Sequence, residues 1–157
     1  MVPMMMNAAP NSPSLIPKPA IMEAKQSCFE LAKGSLLIAG LGAEAEASTL
    51  AEFLRTSTGF ELPVRRGPPS DHAIVLNLDK SLDSRLGNEG YRLSITPQRV
   101  SISAARPAGL FYGGITFLQS LPPEAFSTNH VDHAKRVRWE APCVEIEDFP
   151  RFQWRGL

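Results

Sequence analysis

Residues 91–104 read YRLSITPQRVSISA, and their alternation decides the fold class. Tyr91, Leu93 and Ile95 fall on one side of an extended chain, with Arg92, Ser94 and Thr96 on the other. Val100, Ile102 and Ala104 repeat the pattern against Ser101 and Ser103. Successive side chains of a strand point to opposite faces, so each run predicts a strand with one apolar and one polar face. Pro97-Gln98-Arg99 is short enough to be a turn, and the two runs predict an antiparallel hairpin over a single core.

A helix is predicted immediately downstream, over 107–121. Leu110, Gly114, Phe117, Leu118 and Leu121 recur at helical spacing, and Pro107 suits the first turn. Gly113 and Gly114 each cost a helix interior about 1 kcal/mol relative to alanine, which points to another element packed close to the backbone. Upstream, 73–78 (AIVLNL) is apolar enough for a central strand. Ala47, Leu50, Ala51 and Leu54 form one stripe of a helix predicted over 43–58, with Glu44 and Glu46 near its positive end and Gly59 as its stop. Between these two, 63–70 is proline-rich and predicts a loop in which Arg65 and Arg66 are solvated. Residues 35–39 (SLLIA), flanked by glycines, predict a short buried strand, and 22–25 and 28–31 two more. A last alternating strand is predicted over 143–147, Val144 and Ile146 facing inward. The order of elements predicts an α+β protein: a two-layer sandwich of a mainly antiparallel sheet with two helices on one face.

Composition narrows the function classes. Sixteen basic and sixteen acidic residues cancel over 157 positions, so no basic stripe calls for nucleic acid and no charge excess for an anionic membrane. No apolar run approaches the roughly 20 residues of a bilayer span. Residues 1–15 (MVPMMMNAAPNSPSL) read as a disordered tail, because no charged stretch precedes an apolar core as a secretory signal requires. Ile16-Pro17-Lys18-Pro19 is an extended lead-in to the ordered chain. Cys28 and Cys143 lack metal-site spacing; the pair is compatible with one disulfide, and reads first as two independent buried thiols, since a chain of this size needs no staple.

No self-sufficient catalytic constellation emerges. His130 and His133 (HVDH) have no third ligand and no supporting periodicity, so they read as surface histidines and no metal site is predicted. Lys135, Arg136 and Arg138 are offset by Asp132 and Glu140, with Trp139 the sole aromatic among them. Glu145, Glu147 and Asp148 are the densest carboxylates. Glu145 and Glu147 share one strand face, opposite Val144 and Ile146, and read as a solvated or interdomain face, not as the opposed pair of a glycosidase. Nothing matches a phosphate cradle or a nucleotide motif, and no cofactor is expected.

Two stretches carry a resemblance. Residues 88–121 (NEGYRLSITPQRVSISAARPAGLFYGGITFLQSL) resemble the segment before the barrel of glycoside hydrolase family 20 β-N-acetylhexosaminidases, with Glu89, Gly90, Tyr91, Ala108, Gly109, Phe111, Tyr112, Gly113, Thr116 and Gln119 at matching positions. Residues 146–157 (IEDFPRFQWRGL) resemble the approach to the catalytic barrel. The resemblance implies three parts: the tail at 1–15, an N-terminal α+β domain over 16–148, and the start of the catalytic barrel over 149–157. It implies a parent enzyme that removes terminal N-acetylhexosamines from glycans by substrate-assisted retaining hydrolysis, a catalytic barrel as the domain's partner, and a family often secreted or periplasmic. No residue here matches the catalytic Asp-Glu pair. Arg155 matches the family arginine that binds hydroxyls of the terminal sugar, a task suited to the fixed donor fork of a guanidinium. With the barrel absent, apolar surface is expected around Phe149, Phe152 and Trp154. The alternative is a standalone carbohydrate-binding or protein-interaction module without catalysis.

Overall fold

A computed structural model describes residues 12–126 and 137–151. In chain order its elements are β1 (Ile21–Glu30), β2 (Leu36–Ala39), α1 (Glu44–Thr58), β3 (Val64–Arg66), β4 (Ala73–Leu78), α2 (Asp83–Leu86), β5 (Tyr91–Ile95), β6 (Arg99–Ala104), α3 (Pro107–Ser120) and β7 (Glu140–Asp148). Short 3-10 turns at Lys80–Leu82 and Pro123–Phe126 precede α2 and follow α3. The strands form one sheet in the order β1-β7-β5-β6-β4-β2-β3.

The fold is α+β, as the sequence predicts, and its sheet is mixed. Antiparallel ladders join β1 to β7, β7 to β5 and β5 to β6, and hold more of the paired residues. Parallel ladders join β6 to β4, β4 to β2 and β2 to β3. One of the parallel ladders follows directly from a helix. Strands running the same way need a crossover of a dozen or more residues, and α1 supplies one between β2 and β3. α3 likewise returns the chain from β6 to β7, which lies beyond β5.

The predicted hairpin forms with Leu93 opposite Ile102 and Ile95 opposite Val100, and Thr96 and Arg99 close its turn with a backbone hydrogen bond of 3.0 Å. Its inward residues meet Leu37, Ile74, Leu76, Val144 and Ile146 from other strands, Leu50 and Leu54 from α1, and Leu110 and Phe117 from α3, in one core. Phe29 of β1 meets Phe117 edge-on, ring centroids 6.4 Å apart.

Several expectations are corrected. The two strands at 22–25 and 28–31 are one strand, β1, whose pairing with β7 shifts between Ala24 and Cys28, where Ser27 has φ +86°. The loop at 63–70 contains β3, and Arg66 pairs with Glu44 across 2.5 Å instead of standing free. Leu15, in the stretch read as tail, is buried in the core. Trp139 is buried there too. Gly113 is needed: an added Cβ would lie 2.5 Å from Ile102 Cγ2 and 3.2 Å from Tyr91 Cδ2. Gly114 is not, because its nearest neighbour, Leu50 Cδ1, would be 3.5 Å away, an ordinary contact.

Candidate functional site

The residues that carry the family resemblance come together where the hairpin meets α3. A Cβ on Gly109 would lie 2.2 Å from the Gly90 carbonyl oxygen, so the start of α3 runs directly against that loop. Gly113 admits the Tyr91 ring. The Tyr91 hydroxyl and Thr116 Oγ1 form a buried hydrogen bond of 2.6 Å. Gln119 Nε2 reaches the Ile16 carbonyl at 3.4 Å. These positions explain a fold: they let a helix lie close on a sheet and satisfy the polar groups trapped between them. Phe111 and Tyr112 of the same run turn outward, their rings stacked edge to face at 5.7 Å.

Beside this junction a groove of about 440 Å³ opens between α3, the lead-in segment and the end of β7. Ile16, Tyr112, Ile115 and Phe149 supply apolar walls, and Glu89, Asp148 and Arg151 supply charge. Asp148 Oδ1 accepts from the Ala20 N–H at 2.9 Å, which fixes the lead-in beside the sheet. Burial pushes the Tyr91 phenol up to about 12; the nearby Asp148 carboxylate adds to this, against the opposing hydrogen bond with Thr116.

The carboxylates of β7 are structural. Arg92 Nε donates to Glu147 Oε2 at 2.8 Å, and Arg85 Nε stands 2.6 Å from Oε1. Burial alone would raise this carboxyl; hydrogen bonding and charge from the two guanidinium groups outweigh it and hold it below the usual glutamate value. Glu147 is thus buried and paired, not solvated. Exposed Glu145 accepts from Ser94 Oγ at 2.6 Å. Both lie on the sheet face away from the helices.

Cys28 is half-buried and Cys143 buried, and both thiols are free. Burial, foremost, pushes both above the usual thiol value, with Glu140 and Glu30 adding to the effect at Cys28. Such thiols are poor nucleophiles at neutral pH. Among the described residues no group of three His, Cys, Asp or Glu side chains could hold a metal ion, and no helix is long and apolar enough to cross a membrane. His130, His133, Lys135, Arg136, Phe152, Trp154 and Arg155 lie outside the described residues. Phe149 is described and is 38% exposed.

A family model for glycosyl hydrolase family 20, domain 2, matches residues 12–149. A β-hexosaminidase of Porphyromonas gingivalis is 34% identical over 146 residues, which are 92% of this chain and 18% of that protein. Among solved structures, the N-acetyl-β-hexosaminidase of Streptomyces plicatus superposes with a TM-score of 0.78 at 33% identity, covering 94% of this chain and 29% of that one. The β-N-acetylhexosaminidase of Streptomyces coelicolor gives 0.77 at 30% identity, covering 92% and 29%. The chain spans less than a third of the length of each of these relatives.

Proposed function

The chain belongs to glycosyl hydrolase family 20, where it matches domain 2, and we propose that it serves as the non-catalytic accessory domain of an enzyme that removes terminal N-acetylhexosamines from glycans. One observation carries the reading. The family match spans the whole folded unit, while that unit is under a third of each hexosaminidase it resembles. The local chemistry agrees, because Glu147 is held by two arginines and Glu145 by a serine.

In this reading the accessory domain begins before Leu15, which its core buries, and runs to 148, what precedes it is a tail, and 149–157 are the first residues of the catalytic barrel. The barrel supplies the reaction. The substrate's acetamido oxygen attacks the anomeric carbon while a glutamic acid protonates the departing oxygen, and water then opens the cyclic intermediate with retention. Arg155, at the start of that barrel, holds hydroxyls of the terminal sugar. The purified 157-residue chain is expected to leave a chromogenic N-acetyl-β-glucosaminide unhydrolysed. Steady turnover that co-purifies with the chain and survives repurification would overturn the non-catalytic assignment.

A second reading, a glycan-binding module, draws on the exposed Tyr112 and Phe149 beside the polar groups of the groove. Calorimetric titration with chitooligosaccharides separates the two. Saturable millimolar binding favours the module, and no heat above dilution favours the accessory domain.

A further inference from the structure

The chain's two cysteines lie on neighbouring strands, Cys28 on β1 and Cys143 on β7. Glu145 and Glu147 of β7 lie on the sheet face away from the helices, and alternation from them puts Cys143 on that same face. On β1, Phe29 points into the core, so Cys28 beside it also points to the outer face. The alternation of β7 slips here, because Pro142 and Cys143 together separate the inward Ala141 from the inward Val144. The ladder shows the cause. Ala24 pairs with Val144 and Cys28 with Pro142, so Lys25, Gln26 and Ser27 of β1 stand against Cys143 alone.

Cys28 and Cys143 are therefore diagonal neighbours across the ladder. Opposed residues of an antiparallel pair have Cα atoms about 4.5–5.5 Å apart. One residue further along adds about 3.4 Å at right angles. The diagonal falls within the roughly 4.4–6.8 Å between Cα atoms that a disulfide spans. The electrostatics agree with the register: burial, foremost, pushes the Cys143 thiol up, and Cys28 is the neighbour that adds to the rise. Cys28 is the more accessible of the two, half-buried where Cys143 is buried. β1 is also an edge strand, held in the sheet by β7 alone. Its register shifts at the place where the two thiols meet, so a covalent link there would join the strands where their ladder is irregular.

We propose that Cys28 and Cys143 are a modification site, which a low-molecular-weight disulfide oxidises to a cross-strand disulfide that locks the edge strand β1 to β7. The Cys28 thiolate attacks the small disulfide RSSR, forms a mixed disulfide and releases one thiolate, RS−. The Cys143 thiolate then attacks the Cys28 sulfur, the S–S bond between the strands forms, and a second RS− leaves. The leaving groups take up the protons that the cysteines gave up, so two protein thiols and one RSSR become one protein disulfide and two RSH. Two electrons pass from the protein to RSSR, and no other reactant is needed. The raised thiols slow the first step at neutral pH. Proximity favours the second, which is intramolecular. The bond closes a loop from 28 to 143 that contains β2 through β6, α1 and α3. Linking residues so far apart restricts the unfolded chain and stabilises the folded one.

The test treats the 157-residue chain with hydroxyethyl disulfide, a neutral oxidant that Glu30 and Glu140 near Cys28 do not repel. The reaction is run at about pH 8.5, near the ordinary thiol value. Mass spectrometry after acid quenching and alkylation reads the product, and urea denaturation reads the fold. The expected product is a monomer lighter by two hydrogens, with no alkylatable thiol and with Cys28 and Cys143 in one linked peptide pair. Its urea midpoint should lie clearly above that of the reduced chain, and dithiothreitol should reverse the change. Cys28→Ser, at a half-buried position, should show no such rise. The mass readout on the unaltered chain needs no variant. A mixed disulfide at Cys28 with Cys143 still alkylatable would overturn the proposal. So would a disulfide-linked dimer, two untouched thiols, or a bond that forms only in urea. An oxidised monomer whose midpoint is unchanged or lower, or an equal rise in Cys28→Ser, would overturn the lock.

Discussion

At the scale of single residues, two adjacent glycines make opposite predictions. Both lie inside α3, where alanine is favoured by about 1 kcal/mol. Gly114→Ala meets only ordinary contact with Leu50 and should raise stability by up to about that amount. Gly113→Ala drives a methyl to 2.5 Å from Ile102 Cγ2 and against the Tyr91 ring. It should lose about 1–3 kcal/mol through overpacking. Urea denaturation of the two variants checks the pair, and equal midpoints would refute the packing explanation. Tyr91 makes a prediction about pH. Its phenol is raised to about 12 in the fold, against about 10 in an unfolded chain. The folded state therefore keeps its proton after the unfolded state has lost it. The contribution is intact below about pH 10 and disappears as pH rises through 12, on the order of 1–3 kcal/mol. The wild-type chain should lose more stability than Tyr91→Phe between pH 9.5 and 11.5, a span chosen as roughly the window between those two values. Parallel curves for the two proteins would show that this hydroxyl is not coupled to folding.

At the scale of elements, what the sequence revealed depended on how much of the pattern each element carries alone. α1 shows its stripe because Ala47, Leu50, Ala51 and Leu54 all face one core, and each of them is buried. β5 and β6 show theirs because one face is buried and the other wet. β3 stayed hidden. It is a three-residue edge strand between Pro63 and Gly67, it pairs on one side only, and its residues are half-exposed or exposed, so nothing periodic marks it. α2, at four residues, is shorter than the period it would have to display. The parallel half of the sheet was equally illegible, since strand direction is set by the connections, α1 between β2 and β3 and α2 with β5 between β4 and β6, and not by any strand's own composition. The candidate site was half legible: Tyr91, Gly109, Gly113 and Thr116 stand in the run that carries the resemblance, but the groove beside them becomes visible only once the lead-in segment and the end of β7 are placed. The junction after α1 yields a prediction of its own. Arg55 Nε donates to the Glu61 carbonyl at 2.7 Å and Nη2 to the Leu62 carbonyl at 2.9 Å. Leu62 is fully buried with φ +41°, and Leu37 N–H bonds the next carbonyl, that of Pro63, at 2.9 Å. Arg55 thus holds the turn that delivers β3 to β2. Arg55→Ala should cost about 1–2 kcal/mol, with faster amide exchange at Leu37 as the sign that the β2–β3 edge has loosened. A loss of stability without that local change would place the role of Arg55 elsewhere.

At the scale of the whole molecule, the question is whether the antiparallel and parallel halves unfold together. β1, β7 and β5 could in principle peel away from β4, β2 and β3, since only the β5–β6 ladder joins them within the sheet. The helix layer argues against it. α3 lies across β4, β5, β6 and β7 and also packs on α1. Phe117 on α3 touches Phe29 from the edge strand β1. One core cluster accordingly contains Leu15, Phe29 and Trp139 from one side, and Leu37, Leu54 and Leu76 from the other. Separating the halves would uncover α3, and a fully buried aromatic or leucine loses about 1.5–3 kcal/mol when it returns to water. Such a partly open state would expose several of these side chains at once and would be too unfavourable to accumulate. Trp139 reports on the antiparallel side, because it is buried there and its carbonyl accepts from the Leu31 N–H at 2.8 Å. With Trp154→Phe removing the second tryptophan, Trp139 fluorescence follows that side alone, while far-ultraviolet circular dichroism, dominated by α1 and α3, follows the helix layer. The two curves should coincide in urea, as they do for a two-state domain. A Trp139 transition at clearly lower urea would mean that β1 and β7 form a separate unit and that the shared core does not couple the halves.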